Sequence, residues 1–179
     1  MNRIETNRLV LRGWKVEDYL DMYEIDSDEK VNLSAGCAVV KDIKKIKDSL
    51  NLLIPQNQSY AIVLKTENKV IGIGMDEIAP DESLKNLKQR YIGYRLNSKY
   101  WGKGYATEAA HFFIKYLFEN FNLDLIWFSH YDFNERSKRV IEKCGFHYKF
   151  NRSKTVKALG NRILTELFYS LTKNEYIKV

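Results

Sequence analysis

The sequence predicts an α/β-class domain of the mixed α+β kind, built on one mixed β-sheet. Two observations support this prediction. After one short strand pattern, two helical patterns come before three consecutive strand patterns, and the second half then alternates strands with helices before it closes on two strands. A doubly wound parallel sheet would alternate more strictly. The chain has 179 residues, the size of one domain, so we assign residues 1–179 to a single domain.

The first half of the chain holds four strand patterns and two helical ones. Strand patterns cover 8–14, 59–66, 69–78 and 90–96. Apolar residues recur at helical spacing over 17–25. A second helix begins after Asp42, whose side chain can cap the first turn, and Pro55 is expected to end it. One face of that helix carries Ile43, Ile46, Leu50 and Leu53.

The second half begins with the strongest helical pattern in the chain. Seven apolar residues repeat there at three- and four-residue spacing: Ala106, Ala109, Ala110, Phe113, Ile114, Leu117 and Phe118. A short apolar run at 125–129 predicts a buried strand. Asn134 can cap a further helix that Gly145 stops, with Ser137, Val140, Ile141 and Cys144 turned inward. Strands over 146–150 and 162–171 close the chain.

Composition excludes several classes of protein. An apolar content of 45% with a net charge of +6 is typical of a folded chain rather than a disordered one. Cys37 and Cys144 cannot form a disulfide framework or a four-thiolate zinc site, and the three histidines match no metal spacing. No apolar run approaches the ~20 residues that span a bilayer, and the first residues lack the apolar core of a signal peptide. We therefore expect a cytoplasmic protein with no membrane partner and no metal.

The most informative segment is YWGKGYAT at 100–107, between a strand and the strongest helix. Gly102 and Gly104 let the backbone approach a ligand without a Cβ in the way. Unpaired N–H groups at the helix start and the helix dipole suit a pyrophosphate, and Lys103 can add a positive charge. The spacing does not fit a Walker loop. A dinucleotide fingerprint starting at Gly72 fails as well, because Glu77 stands where its third glycine is required.

Separated segments of the chain resemble the GNAT superfamily of N-acetyltransferases. The stretches IGYRLN at 92–97 and YWGKGYATEA at 100–109 are similar to its acetyl-CoA loop. The opening IETNRLVLR at 4–12 resembles the first strand of the RimJ/RimL-type branch, which acetylates ribosomal-protein N-termini and other amines. The segment from Asn134 to Phe146 resembles the last helix of that branch and the strand beyond it. The resemblance runs from about Ile4 to Leu171, nearly the whole chain.

The resemblance implies a central mixed, mostly antiparallel sheet flanked by helices, with a site for acetyl-CoA as cosubstrate. The pantetheine arm would lie along the strand that ends at Leu96, whose backbone would be near the thioester carbonyl. Asn134 and Ser137 would contact the pantetheine or thiol end, and Asn134 would also cap its helix. The pyrophosphate would rest on the backbone N–H groups of Trp101, Gly102, Lys103, Gly104, Tyr105, Ala106 and Thr107.

The catalytic residues of the superfamily are incomplete in this chain. Many relatives carry a glutamate base where Tyr91 stands, and many carry a tyrosine acid where Ile141 stands. Asp76, Glu77 and Tyr91 are the candidates to receive the proton of the amine, directly or through water. Ser137 is the candidate acid, although a thiolate can also leave without help.

We therefore expect an N-acetyltransferase that transfers an acetyl group from acetyl-CoA to a primary amine by direct attack in a ternary complex. The acceptor is a peptide or ribosomal-protein N-terminus or a small-molecule amine. An α-amine has a pKa of about 7.7–8.0 and a lysine amine one of about 10.4, so a site without a strong base favours the α-amine. Six basic residues that we expect near the acceptor argue against a polycation. They are Arg136, Lys149, Arg152, Lys154, Lys157 and Arg162.

Two other functions stay open at this point. Because the glutamate base and the tyrosine acid are missing, the chain could be a non-catalytic acyl-CoA-binding module of the same fold. An isoelectric point near 9.1 suggests a protein associated with nucleic acid, but no RNA-binding signature is present, so we rank nucleic acid last among the partners. The sequence leaves open whether two copies form a homodimer.

Overall fold

The computed structural model describes residues 3–56, 58–78, 84 and 86–176, and eight strands and six α-helices lie within them. The strands are β1 (Ile4–Glu5), β2 (Leu9–Arg12), β3 (Ser59–Leu64), β4 (Lys69–Ile78), β5 (Gln89–Leu96), β6 (Leu125–Tyr131), β7 (His147–Val156) and β8 (Arg162–Thr172). The helices are α1 (Tyr19–Asp26), α2 (Glu29–Ala35), α3 (Ile43–Gln56), α4 (Tyr105–Phe121), α5 (Glu135–Lys143) and α6 (Lys173–Tyr176). None of the described helices is long and apolar enough to cross a membrane.

The strands form one sheet in the order β1-β2-β3-β4-β5-β6-β8-β7. Neighbours β5 and β6 run parallel, and the other neighbouring strands run antiparallel. This mixed, mainly antiparallel sheet with flanking helices confirms the predicted fold class. The basic segment near the C-terminus forms a hairpin of β7 and β8, in which β7 runs to Val156, well beyond the strand predicted at 146–150.

The parallel pairing of β5 with β6 is short. It runs from Gln89 opposite Leu125 to Ile92 opposite Phe128, and both strands continue past this point without facing each other. Beyond Ile92, the residues of β5 stay paired with β4 on their other edge. A gap therefore opens in the middle of the sheet.

Alternating side chains of the strands fill two cores, one on each face of the sheet. On one face, Leu9, Leu11 and Ile62 belong to a cluster with the apolar residues of α4 and α5. On the other face, Val10 and Ala61 pack with residues of α1, α2 and α3. Because helices cover both faces, β3 is buried along its whole length, which explains why its sequence does not alternate.

Helix α2 is absent from the sequence-based prediction. The Asp28 side chain accepts hydrogen bonds from the N–H groups of Lys30 and Val31, and Gly36 ends the helix at a φ of 67°. The capping residues are therefore present in the sequence. The helix itself, EKVNLSA, is too short and too polar to show an apolar stripe.

Helix α3 departs from its prediction in two details. Asp42 caps it as expected, accepting a hydrogen bond from the N–H of Lys44 at 2.8 Å. Ile43, predicted on the buried face, is 41% exposed, because the buried part of that face starts at Ile46. Pro55 lies inside the last turn rather than ending the helix, so this turn closes without the hydrogen bond that an N–H at position 55 would donate.

Gly74 of β4 is a packing residue rather than part of a nucleotide motif. It stands opposite Tyr60 of β3, and a Cβ at position 74 would lie 2.0 Å from a carbon of the Tyr60 ring. That ring is buried, with its centroid 4.3 Å from that of Phe113. The sheet thus uses glycine at this position to make room for an aromatic side chain.

Gly74→Ala should lower the free energy of unfolding by about 1–3 kcal/mol, because the new methyl group must displace a buried ring. Gly13→Ala is the control, since no atom lies within 4 Å of a Cβ built at that position. Its effect should stay within about 0.5 kcal/mol. Urea denaturation of both variants measures the difference, and equal losses would contradict the packing explanation.

Candidate active site

A cleft of about 550 Å³ opens where β5 and β6 separate. One wall consists of the loop before α4 together with α5. The opposite wall consists of the end of α2 with residues of β4 and β8. Since these walls belong to opposite faces of the sheet, the cleft connects the two faces through the gap between the strands.

The backbone of β5 turns polar groups into this gap. The N–H of Asn97 donates to the carbonyl of Ile71 at 2.8 Å, so these two residues are a hydrogen-bonded pair of the antiparallel ladder. Hydrogen-bonded and non-hydrogen-bonded pairs alternate along such a ladder. The N–H and C=O groups of Leu96 and Tyr94 therefore point away from β4 and toward the cleft. The Leu96 carbonyl accepts a hydrogen bond from Trp101 Nε1 at 2.7 Å.

The loop before α4 has a backbone suited to an anion. Gly102 and Gly104 have φ values of 77° and 80°, in the left-handed region that favours glycine. Gly104 immediately precedes α4, whose first N–H groups have no acceptor within the helix. The residues that carry these groups line the cleft, so the helix dipole and the N–H groups act at the same place.

Most of the residues singled out in the sequence line the cleft. They are Glu77, Tyr91, Leu96, Trp101, Gly102, Gly104, Tyr105, Ala106, Thr107, Asn134 and Ser137. Lys103 is not among the lining residues, and its ammonium lies over the ring of Tyr100, 5.3 Å from the centroid. Asp76 is not among them either. Its carboxylate faces Arg90 at 3.7 Å, and burial raises its pKa despite that cation.

Asn134 connects the two walls. Its Oδ1 accepts a hydrogen bond from the N–H of Ser137 at 3.1 Å, which caps α5 as predicted. Its Nδ2 donates to the carbonyl of Ser34, at the end of α2, at 2.9 Å. The hydroxyl oxygen of Ser137 lies 3.5 Å from that of Tyr94, a residue that the site prediction missed. Burial raises the pKa of Tyr94 to about 12, so its phenol is protonated at neutral pH.

A chain of hydroxyl groups leads from Tyr91 to Glu166. The Ser129 hydroxyl donates to the Glu166 carboxylate, so it accepts from the Tyr91 phenol, 2.6 Å away. Burial raises the pKa of Tyr91 well above its usual value, which keeps the phenol protonated. The site prediction also missed Ser129 and Glu166. The sequence signal that could have found Ser129 is its position as a polar residue within an otherwise apolar strand.

The charged side chains that line the cleft are mainly basic. They are Arg95, Arg136, Arg139, Lys143 and Lys154, against Glu77 and Glu166. Arg95 is paired with the carboxylate of Asp26 at 2.7 Å. Three of the remaining cations lie on α5, and Arg136 stacks over Trp101 at 4.1 Å from the ring. This wall therefore suits a ligand with several negative charges.

The two cysteines differ in environment. Cys37 lines the cleft, whereas Cys144 is buried, and burial raises the pKa of the Cys144 thiol to about 12. Cys144 is therefore a core residue and not a nucleophile. Within the described ranges, no group of three or more His, Cys, Asp or Glu side chains lies close enough together to hold a metal ion.

Comparison with known proteins identifies the family. The acetyltransferase (GNAT) domain family matches residues 8–147. An N-acetyltransferase of Bacillus licheniformis named p20, described as uncharacterized, is 28% identical over 182 residues, covering 98% of this chain and 99% of that protein. A GNAT-family acetyltransferase from Bacillus anthracis has a similar structure, with a TM-score of 0.84 and 26% identity over 97% of this chain and 99% of that one.

Two more distant structures share the fold. The ribosomal-protein-S5-alanine acetyltransferase of Vibrio fischeri has a TM-score of 0.78 and 19% identity, covering 98% of this chain and 99% of that chain. The microcin C7 self-immunity acetyltransferase MccE, solved with acetyl-CoA and AMP, has a TM-score of 0.78 and 20% identity, covering 93% of each chain. The chain belongs to the GNAT acetyltransferase family, which uses acetyl-CoA, and it is an acetyltransferase. This membership disfavours the non-catalytic alternative.

Asn134→Ala should lower the free energy of unfolding by about 1–2 kcal/mol, since it removes a helix cap. Asn134→Ser is the matched variant, because serine also caps helices but cannot reach Ser34 as the amide does. Asn134→Ser should lower the free energy of unfolding by less than half as much as Asn134→Ala does. Urea denaturation of both variants separates the contribution of the helix cap from that of the hydrogen bond to Ser34. Equal losses of unfolding free energy would show that the hydrogen bond to Ser34 contributes more.

Proposed function

We propose that residues 1–179 form a single-domain N-acetyltransferase that brings acetyl-CoA and a primary amine together from opposite faces of the sheet for direct attack. The separation of β5 from β6 is the observation that carries this proposal. The resulting gap connects the start of α4, whose free N–H groups suit an anion, with the opposite wall, which carries carboxylates and hydroxyls. A ternary complex needs such a passage, because the two substrates must meet without covalent transfer to the protein.

Acetyl-CoA fits the residues of the α4–α5 side of the cleft. In this proposal, the N–H groups from Gly102 to Thr107 hold the pyrophosphate, and Lys103 contributes its backbone rather than its ammonium. The N–H of Trp101, which the sequence prediction included, already donates to the carbonyl of Ser98 at 3.2 Å. The positive charges of α5 support the same assignment, because the ligand is a polyanion. The residues Asn134 and Ser137 then contact the pantetheine or thiol end. Bound acetyl-CoA supplies the acetyl thioester that the amine attacks.

Three groups of the chain would act on the reacting atoms. The N–H of Leu96, turned toward the gap, would donate a hydrogen bond to the acetyl oxygen as charge develops there. The hydroxyl of Ser137 would hydrogen-bond to the departing sulfur. Its neighbour Tyr94 is protonated at neutral pH and 3.5 Å away, so it can return a proton to Ser137.

Glu77 would receive the proton of the amine. Its carboxylate is exposed, lines the cleft and stands opposite Tyr91 in the ladder. Tyr91 itself is protonated, so it would relay or donate a proton rather than serve as the base. Glu166 is the second carboxylate in the cleft, but it already accepts a hydrogen bond from Ser129 and lies 4.0 Å from the Lys154 ammonium.

An α-amine of a peptide is the acceptor we favour, including the N-terminus of a ribosomal protein, as in the RimJ/RimL-type branch. The S5-alanine acetyltransferase of Vibrio fischeri shares the fold and supports this choice by analogy. Lys154 in the cleft supports a neutral or acidic acceptor over a polycation. A cytoplasmic location remains a prediction from the sequence.

Gly102→Ala should raise the Kd of acetyl-CoA at least about tenfold, because Gly102 lines the cleft and a Cβ there meets no atom of the protein within 4 Å, so the new side chain stands in the space proposed for the pyrophosphate. Gly145→Ala is the matched control, since Gly145 has a φ of 81° but does not line the cleft. Both variants carry the same backbone strain. Calorimetric titration with acetyl-CoA, with CoA and ATP for comparison, gives the affinities. Equal effects of the two substitutions, or preference of the unmodified protein for ATP, would contradict the assignment of the loop.

Glu77→Gln should lower kcat/KM about a hundredfold and leave the Kd of acetyl-CoA unchanged, because only proton removal from the amine is lost. Glu166→Gln should lower kcat/KM by less than about tenfold. Initial rates are measured on peptides with a free α-amine and on their Nα-blocked, lysine-containing counterparts. A larger loss in Glu166→Gln than in Glu77→Gln would assign the base to Glu166. Preference for the blocked peptides would refute the choice of an α-amine.

A further inference from the structure

Arg8 lies behind the loop that precedes α4, on the side away from the cleft. Its Nη1 donates to the carbonyl of Lys103 at 2.9 Å, and its Nε donates to the carboxylate of Glu108, in the first turn of α4, at 2.6 Å. Its guanidinium also stacks over the ring of Tyr105, 4.5 Å from the centroid. One side chain between β1 and β2 therefore contacts three residues of the loop and the helix start.

The contact of Arg8 with Lys103 and the first hydrogen bond of α4 fix the direction of two successive peptide groups. In a trans peptide the C=O and the following N–H point in opposite directions. Because Arg8 holds the Lys103 carbonyl, the N–H of Gly104 is directed away from Arg8, which places it on the side of the cleft. The next carbonyl, that of Gly104, accepts a hydrogen bond from the N–H of Glu108 at 3.0 Å, so the N–H of Tyr105 points out of the helix start.

The contacts of Arg8 also neutralise a negative charge beneath the loop. Glu108 is only 14% exposed, and it accepts hydrogen bonds from the Thr6 hydroxyl and from the backbone and side chain of Arg8. Burial alone would raise its pKa, but these hydrogen bonds and the charge of Arg8 lower it. Glu108 is therefore a carboxylate, and without Arg8 its charge would repel an anion at the start of α4.

We propose that Arg8 is a positioning residue for the pyrophosphate of acetyl-CoA: it orients the N–H group of Gly104 and cancels the charge of Glu108. This inference rests on the proposed function, because it requires CoA to bind at the loop. Arg8 does not touch the ligand in this arrangement. It acts through the backbone that does, so its loss should weaken binding without removing any group that contacts the pyrophosphate.

The test uses three variants of the full chain and calorimetric titration with CoA. Arg8→Gln should raise the Kd about tenfold, the size expected for losing charge-assisted hydrogen bonds. Arg3→Gln is the matched control, because Arg3 also pairs with a glutamate of the same N-terminal segment, Glu5 at 2.9 Å, away from the loop. It should change the Kd by less than about twofold. The double variant, Arg8→Gln with Glu108→Gln, should bind CoA about threefold more tightly than Arg8→Gln alone, because the repelling carboxylate is then gone.

Thermal unfolding of each variant without ligand separates positioning from general stability. Arg8 is 45% exposed, so Arg8→Gln should stay folded. A Kd for Arg8→Gln equal to that of the unmodified protein would overturn the inference and leave the proposed function intact. Failure of the second substitution to restore any affinity would refute the role of charge cancellation. If the unmodified protein does not bind CoA, the proposed function itself fails and this inference fails with it.

Discussion

The end of backbone pairing between β5 and β6 is the constraint on which the rest of the molecule depends. Past Ile92 and Phe128, the inner edge of β5 carries N–H and C=O groups that need partners, as every buried backbone group does. Trp101 satisfies one of them, the carbonyl of Leu96. The start of α4, with N–H groups that have no acceptor within the helix, lies on one side of this edge, and the carboxylates of Glu77 and Glu166 lie on the other. The hydrogen bond from Asn134 to the carbonyl of Ser34 joins the walls on either side of the gap.

Local sequence patterns predicted most of the fold, because they show which side chains of an element are buried and where the element begins and ends. The apolar repeat of α4, the cap at Asp42 and the stop at Gly145 all correspond to structure at those positions. Helix α2 escaped prediction because it is held by a buried polar side chain rather than by an apolar stripe. Asn32 donates to the carbonyls of Ile25, Asp26 and Asp28 and accepts from Arg95, which no periodicity reveals.

The candidate site was predictable where a single segment builds it and not where distant strands do. The loop at 100–107 could be read directly, because its glycines and the helix that follows are contiguous in sequence. The chain from Tyr91 through Ser129 to Glu166 joins three strands that are far apart in sequence, so only the sheet order brings them together. The same holds for Arg8, which reaches the loop across almost a hundred residues.

The contrast between the two cysteines has a practical consequence. The thiolate is the form of cysteine that attacks alkylating reagents, and a thiol with a pKa of about 12 supplies almost none of it at neutral pH. Cys144 is therefore protected because its thiol stays protonated, as well as because it is buried. Cys37 lies on the wall of the cleft, near the end of α2. The natural chain thus offers a selective attachment point for a fluorescent reporter, whose signal would follow occupation of the cleft without any engineered residue.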